Sequence, residues 1–379
     1  MKTEQRLWTK DSGWSAPAGE SLGNSANLVL AFGGTSLLKD PARYADIKSS
    51  YPNAHIMGCS TAGEIFGTSV CDDSLVATAV EFEKTGLQVS QVRIADVHDS
   101  REAGSRLAKG LPTDGLVHVF VISDGLKING SDLVAGMREH LPLHVAITGG
   151  LSGDGARFEQ TLVCMDDAPK EGIIAALGLY GSSLKVGYGS LGGWDPFGPE
   201  RLITKSDGNV LYELDGQSAL KLYKTYLGEH AAGLPATGLL FPLSVRTPDK
   251  QTGVVRTILG IDEKTQSMTF AGDIQQGAYA RLMKANFERL IDGASGAAKA
   301  SFEAIGSSSP DLALLISCVG RKLVLKQRIE EEVESVRDVL GESTVLAGFY
   351  SYGEISPLRP SAKCELHNQT MTITTFSER

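Results

Sequence analysis

The sequence predicts an α/β protein: repeated strand–helix–strand units with antiparallel additions, forming mixed sheets covered by helices and arranged as two pseudo-repeated halves. Three observations predict it. Three segments each read as an apolar run, a stretch of helical period and a second apolar run, punctuated by glycine. The turns that close these segments resemble one another. The stretches between them alternate in hydropathy, as antiparallel strands do.

The first unit begins with Leu28 to Phe32 and stops at Gly33-Gly34, continues as a short helix from Pro41 to Ser50, and returns as a strand from Ala54 to Met57 ending at Gly58. The second has Leu116 to Ile122 followed by Ser123-Asp124-Gly125, a helix from Ser131 to His140, and a strand from His144 to Thr148 ending at Gly149-Gly150. The third has Leu312 to Ser317 followed by Cys318-Val319-Gly320, a helix through Ile329, Val333, Val336 and Leu340, and Thr344 to Ala347 ending at Gly348. This pattern implies parallel strand pairs with a helix packed on the sheet. Antiparallel strands are expected over 75–82, 87–94, 160–165, 173–179 and 370–375. Gly187 to Pro199 is rich in glycine and proline and is expected to be irregular. Asp207-Gly208-Asn209 reads as a hairpin turn. A helix from Ser218 to Leu227 is expected to close the first half, with the break near Gly228 to Pro235.

Composition bounds the function. The chain has 379 residues, 42% hydrophobic and 21% charged, which suits two domains with cores of their own. With 36 basic against 45 acidic residues and no Lys/Arg stripe, a nucleic-acid partner is not expected. The longest apolar stretch, Ile173 to Tyr180, is far short of the ~20 residues that span a bilayer. The opening residues do not read as a secretory leader. A soluble, cytoplasmic protein is the expectation. Five scattered cysteines without a CxxC pair fit neither a zinc knuckle nor a disulfide framework.

The turns after the second strands are the candidate site: Gly58-Cys59-Ser60-Thr61-Ala62-Gly63-Glu64, Gly149-Gly150-Leu151-Ser152-Gly153-Asp154, and Gly348-Phe349-Tyr350-Ser351-Tyr352-Gly353-Glu354. A weaker echo is Thr269 to Ile274. Ligands of parallel α/β sheets sit outside the carboxyl ends of strands, where these turns lie, and glycine lets a ligand approach the amides. The ligand-binding candidates are therefore Gly58, Cys59, Ser60, Thr61, Gly63, Glu64, Gly149, Gly150, Asp154, Tyr352, Gly353 and Glu354. Ser60 or Cys59 could instead serve a hydrolase or transferase as nucleophile, but no base with an orienting partner is visible. No catalytic residue is assigned, and the matching positions of Glu64, Asp154 and Glu354 argue for anchoring roles. Gly187 to Gly192 matches GxGxxG as a string, but Gly193-Trp194-Asp195-Pro196 cannot open the helix that would hold a pyrophosphate. The acidic run Glu330-Glu331-Glu332-Glu334 reads as the solvated face of an amphipathic helix. Of seven histidines only His140 and His144 are helically spaced, and Pro142 between them breaks the helix, so no metal site beyond a possible haem iron is expected.

At these turns the chain resembles the FIST family of sensory proteins. The resemblance rests on Gly58 to Ile65, Ser123-Asp124-Gly125, Thr148 to Gly155 and Gly193-Trp194, then on Leu234-Pro235, Cys318 to Arg321, Phe349 to Pro357 and Leu366 to Thr370. It implies a FIST N-terminal domain over 28–227, a FIST C-terminal domain over 228–379, and an intracellular ligand sensor for signal transduction, with amino acids among the ligands. Because the two domains take up the chain, it implies action in trans on a histidine kinase or cyclic-dinucleotide enzyme; a homo-oligomer is also compatible. Stand-alone proteins of this size are similar to the NosP-like, nitric oxide-sensing subgroup, which implies haem b as cofactor. His367 and then His55 are the axial-ligand candidates, since a haem needs one histidine and an apolar pocket.

Overall fold

The computed structural model describes residues 1–17, 21–249, 253–306, 308–358 and 362–379. All three units fold as parallel strand pairs. Leu28–Gly33 pairs with His55–Ser60, Leu116–Ser123 with Ala146–Leu151, and Leu312–Cys318 with Val345–Ser351. Their helices begin where local chemistry satisfies the first free amides. Asp40 accepts from the Ala42 amide with Pro41 leading Pro41–Ser50, and Asn129 accepts from the amides of Ser131 and Asp132 to open Gly130–Arg138. The third unit crosses over through Val319–Leu325 and Ile329–Leu340.

Each unit builds a six-stranded sheet in which five strands follow the same order. Beside the first strands lie Leu75–Glu81, Ile173–Tyr180 and Met371–Glu378, all antiparallel. Beyond these lie Lys2–Thr9, Gly86–Arg93 and Leu184–Leu191. The other edge is filled by exchange, because the strand after each glycine turn leaves its own unit. Glu64–Phe66 of the first unit pairs with Val345–Ser351 of the third, Gly353–Pro357 of the third with Ala146–Leu151 of the second, and Val163–Met165 of the second with His55–Ser60 of the first. The cycle closes, giving the core a threefold arrangement. Glycine marks one position of the repeat for a steric reason. A Cβ on Gly58, Gly149 or Gly348 would lie 2.1, 1.8 or 1.8 Å from the carbonyl oxygen of Ala31, Val121 or Leu315 on the neighbouring strand.

The inner faces of the three sheets meet in one apolar core with Phe32, Met57, Phe120, Leu177, Leu314 and Phe349. Phe32 and Phe349 bring rings of the first and third sheets to 4.7 Å. The outer faces of the second and third sheets pack on helices through Leu107, Leu133, Met137, Val333 and Leu340. A fourth, eight-stranded sheet is inserted between the second and third units. It runs from Asp195–Asp207 to Tyr279–Lys284, and its own core includes Leu211, Tyr223, Leu243 and Phe270. The helix Ala219–Leu227 belongs to that core, packed against strands on both sides of Gly228.

Two local expectations are corrected. Gly187 to Pro199 is largely strand: Leu184–Leu191 pairs with Met371–Glu378, and Asp195–Asp207 follows. Its glycines serve close packing, since a Cβ on Gly187 or Gly189 would meet the Ser301 or Ala297 carbonyl of helix Phe287–Ala304 at 2.1 or 2.3 Å. Glu332 is not on a solvated face but fully buried. Its carboxylate receives Arg321 Nε at 3.0 Å and Nη2 at 2.7 Å, the Tyr350 hydroxyl at 2.7 Å and the Ser317 hydroxyl at 3.1 Å. The Thr269 to Ile274 echo lies in the inserted sheet rather than in a strand–helix–strand unit. Asp207-Gly208-Asn209 joins antiparallel strands, with Gly208 at φ +53°.

Candidate functional site

The three glycine turns do converge, and they bind one another. The Gly153 amide donates to the Ser60 carbonyl at 2.9 Å, the Ala62 amide to Tyr350 at 2.8 Å, and the Tyr352 amide to Leu151 at 3.2 Å. Counted from Gly58, Gly149 and Gly348, donors and acceptors occupy equivalent positions, so the three bonds form a cyclic ring. This ring is buried, and with it Gly58, Cys59, Ser60, Thr61, Gly63, Glu64, Gly149, Gly150, Asp154, Tyr352, Gly353 and Glu354.

Two turns are locked alike. Glu64 accepts from the Thr61 hydroxyl and from the Ser74 amide at 3.2 Å and hydroxyl at 2.7 Å. Glu354 accepts from the Ser351 hydroxyl at 2.6 Å and from the Thr370 amide at 3.1 Å and hydroxyl at 2.9 Å. Burial disfavours both charges and outweighs these bonds, raising Glu64 to about 7 and Glu354 to about 8. The second turn departs from the pattern. Gly155 stands where the others have glutamate, and Ile173 where they have Ser74 and Thr370. Asp154, one residue earlier, accepts instead from the amides of Phe158, Glu159 and Gln160 at 2.8–2.9 Å and from the Tyr352 hydroxyl. Burial, with the Asp154 contact second, pushes the Tyr352 phenol far above its ordinary range.

At this departure the surface opens into a cleft of about 490 Å³. Residues 125–129, Leu151, Phe158 and Tyr352 form the core side; Asn209, Leu259, Thr269, Phe270 and Ala271 of the inserted sheet form the other. Asp124 shapes the core side, accepting from the Leu126 and Lys127 amides and, through its other oxygen, from Gly172, each at 2.9 Å. Phe158 stacks on Tyr352 with ring centroids 4.3 Å apart, and Leu126 and Leu259 are exposed at the rim. Tyr352 is thus the one of the ligand-binding candidates that lines this cleft, joined by Leu151 of the second turn. Ser123-Asp124-Gly125 was a visible signal for its core side. Thr269, Phe270 and Ala271 lie in the weaker echo of the turns, whereas Asn209 and Leu259 carried no site signal, since only the docking of the inserted sheet brings them there.

Ser60 and Cys59 are not arranged as nucleophiles. The Ser60 hydroxyl accepts from the Leu162 amide at 2.8 Å, and burial holds the Cys59 thiol well above its ordinary range. Residues 27–217 match the FIST N domain and residues 219–357 the FIST C domain. The chain belongs to the FIST family. An uncharacterised protein of Mycobacterium tuberculosis is 23% identical over 347 residues, covering 88% of this chain and 86% of that protein. An uncharacterised protein of Methanocaldococcus jannaschii is 24% identical over 340 residues, covering 81% and 62%. Among solved structures, a chorismatase is similar at TM-score 0.36 and 10% identity over 99% of this chain and 98% of that one. A cyanuric acid hydrolase from A. caulinodans gives 0.19 and 12% over 78% and 99%.

FIST membership carries a sensory, signal-transduction role at the level of the family. Haem binding would need an axial histidine facing an apolar pocket. His367 is buried, with Nε2 2.8 Å from the Ser356 carbonyl oxygen; burial lowers it to about 4, against that hydrogen bond. His55 places Nδ1 2.6 Å from Asp166 and stands half-exposed at the start of its strand. Neither lines the cleft at Tyr352 or the larger cavity at Arg256 described below. These two residues therefore do not fit an axial ligand facing an apolar pocket. Among the described residues no three His, Cys, Asp or Glu side chains cluster to hold a metal ion, and no helix is long and apolar enough to cross a membrane.

Proposed function

We propose that this FIST protein senses a small organic molecule in the cleft beside Tyr352 and passes its occupancy to a signalling enzyme, a histidine kinase or a cyclic-dinucleotide enzyme. The observation that carries this reading is the broken repeat. Where the first and third turns are sealed by a buried glutamate, the second lacks that seal and opens a cleft of ligand size. Local departures from an otherwise consistent pattern mark functional positions. The lining suits an amphipathic molecule such as an amino acid: an aromatic stack and leucines for an apolar part, and Asn209, Thr269 and Lys127 for a polar end. Because the walls come from the core and the inserted sheet, a bound molecule bridges them and alters how they dock.

The test is thermal shift of the full chain against the twenty amino acids, alongside Leu126→Trp and Leu259→Trp, whose exposed side chains can grow into the cleft without disturbing the core. An amino acid that stabilises the protein and loses its effect in both variants supports the reading. Stabilisation that survives in both variants, or none with any amino acid, counts against it. The haem and nitric oxide alternative has its own decisive observation: a stoichiometric Soret band that shifts with nitric oxide.

A further inference from the structure

A second cavity of about 810 Å³ lies on the far side of the Asn129–Asp273 contact, between helix Gly130–Arg138, strand Cys364–His367 and the inserted strands Leu243–Arg246 and Val254–Arg256. Arg256 lines it while only 6% exposed. Its Nε donates to the Asp273 carbonyl at 3.3 Å and its Nη1 to the Leu366 carbonyl at 2.8 Å. Nη2 has no partner, and no carboxylate pairs with this guanidinium, among the described residues. A buried guanidinium whose hydrogen bonds go to neutral carbonyls, with the Glu365 and Asp273 carboxylates acting on it through space, is costly to keep.

Arg138, on the same wall, is likewise answered by carbonyls, with Nη1 donating to Val145 at 2.7 Å and Pro142 at 3.4 Å. Ser131 and Thr247 also line the cavity, and their hydroxyls, themselves closed off from solvent, have no hydrogen-bond partner among the described residues. The carboxylates of Asp273 and Glu365 also line the cavity, and Asp273 is held by the Asn129 amide at 2.8 Å. Arg246, Gln275 and Lys363 also line the cavity, and Val134, Ala135, Val245, Val254 and Leu366 give it an apolar stretch.

We propose that this cavity is a binding site for an organic carboxylate with an apolar body, its carboxylate held by Arg256. The site is separate from the cleft beside Tyr352 and stands independently of the sensor reading. The guanidinium supplies a charge-assisted donor in place of water, and the aliphatic side chains take the body. The terminal carboxylate of a fatty acid or arylalkanoic acid has this chemistry.

The experiment titrates octanoate into the full chain by calorimetry, with 1-octanol and inorganic phosphate as comparisons, and repeats it on Arg256→Gln, Ala135→Trp and Leu126→Trp. Octanoate is expected to bind wild type, with 1-octanol at least about tenfold weaker, and Arg256→Gln is expected to lose about ten- to a hundredfold, the range for a hydrogen bond to a charged group. Ala135→Trp fills the cavity without touching the charge and should abolish binding, so the test survives if Arg256→Gln fails to fold. Leu126→Trp should bind octanoate normally, which separates this site from the cleft. Equal binding of octanoate and octanol, phosphate binding in place of octanoate, unchanged affinity in folded Arg256→Gln, or no binding at all would each overturn the proposal.

Discussion

Glu64 and Glu354 hold protons that an unfolded chain would release. From an ordinary value near 4.5 they are raised to about 7 and about 8 by burial, so between those limits the folded state binds more protons than the unfolded one. Stability therefore falls as pH rises from about 4.5 through 8, the reverse of a salt-bridged carboxylate. Denaturation midpoints between pH 5 and pH 9 should show that decline, and Glu354→Gln should flatten its upper part; an unchanged slope would show that Glu354 does not titrate there. Glu354→Ala also strands the Thr370 amide in the interior, at about 1–3 kcal/mol. Arg321 presents the opposite case, an ion pair with both side chains fully buried. Arg321→Met leaves Glu332 uncompensated and should cost about 3–5 kcal/mol in urea unfolding. Adding Glu332→Leu should restore only part of this, because the Gly192 and Leu290 carbonyls still lose their donor. The matching positions of Glu64 and Glu354 were legible in the sequence as anchoring. The burial of Glu332 was not, because Glu330, Glu331 and Glu334 around it share its character and only tertiary contact with Arg321 distinguishes it.

At the scale of elements, the first strands of the three units were readable because they are covered on both faces and hence continuously apolar. Leu184–Leu191 escaped for the same reason inverted. It carries glycine at Gly187 and Gly189 because helix Phe287–Ala304 presses its backbone against it through Gly296, Ala297, Ala300 and Ser301. A close-packed strand of this kind looks like a loop in composition. Gly189→Val should therefore push the helix away and destabilise the protein by at least about 1–3 kcal/mol, with loss of cooperativity as the measured sign. Gly208→Ala, in the hairpin with open space around it, should cost only the strain of its positive φ. Equal effects from the two substitutions would contradict this account of the glycine strand.

At the scale of the molecule, no unit owns all of its sheet. Separate fragments 1–193 and 194–379 should each fail to unfold cooperatively, because Glu64–Phe66 would lack Val345–Ser351, and Gly353–Pro357 would lack Ala146–Leu151. Co-expression should restore a single transition in circular dichroism; two independently folded halves would refute the exchange. The strand–helix–strand units and their turns could be read from local pattern, but the sheet a strand joins is a non-local property that pattern does not encode. The same limit explains the cleft: its core wall followed a recognisable strand end, while its other wall comes from residues 209, 259 and 269–271, brought there by the inserted sheet.

The ring of turn amides has a consequence for mechanics. Three hydrogen bonds joined head to tail have no terminus at which a displacement can dissipate, so moving one turn strains both of its neighbours. Tyr352 sits in that circuit by its amide and in the cleft by its ring. A guest that shifts the tyrosine loads the circuit directly, and the load arrives at Ser60 and Ala62 on the opposite arc without a hinge, a lid or a flexible linker.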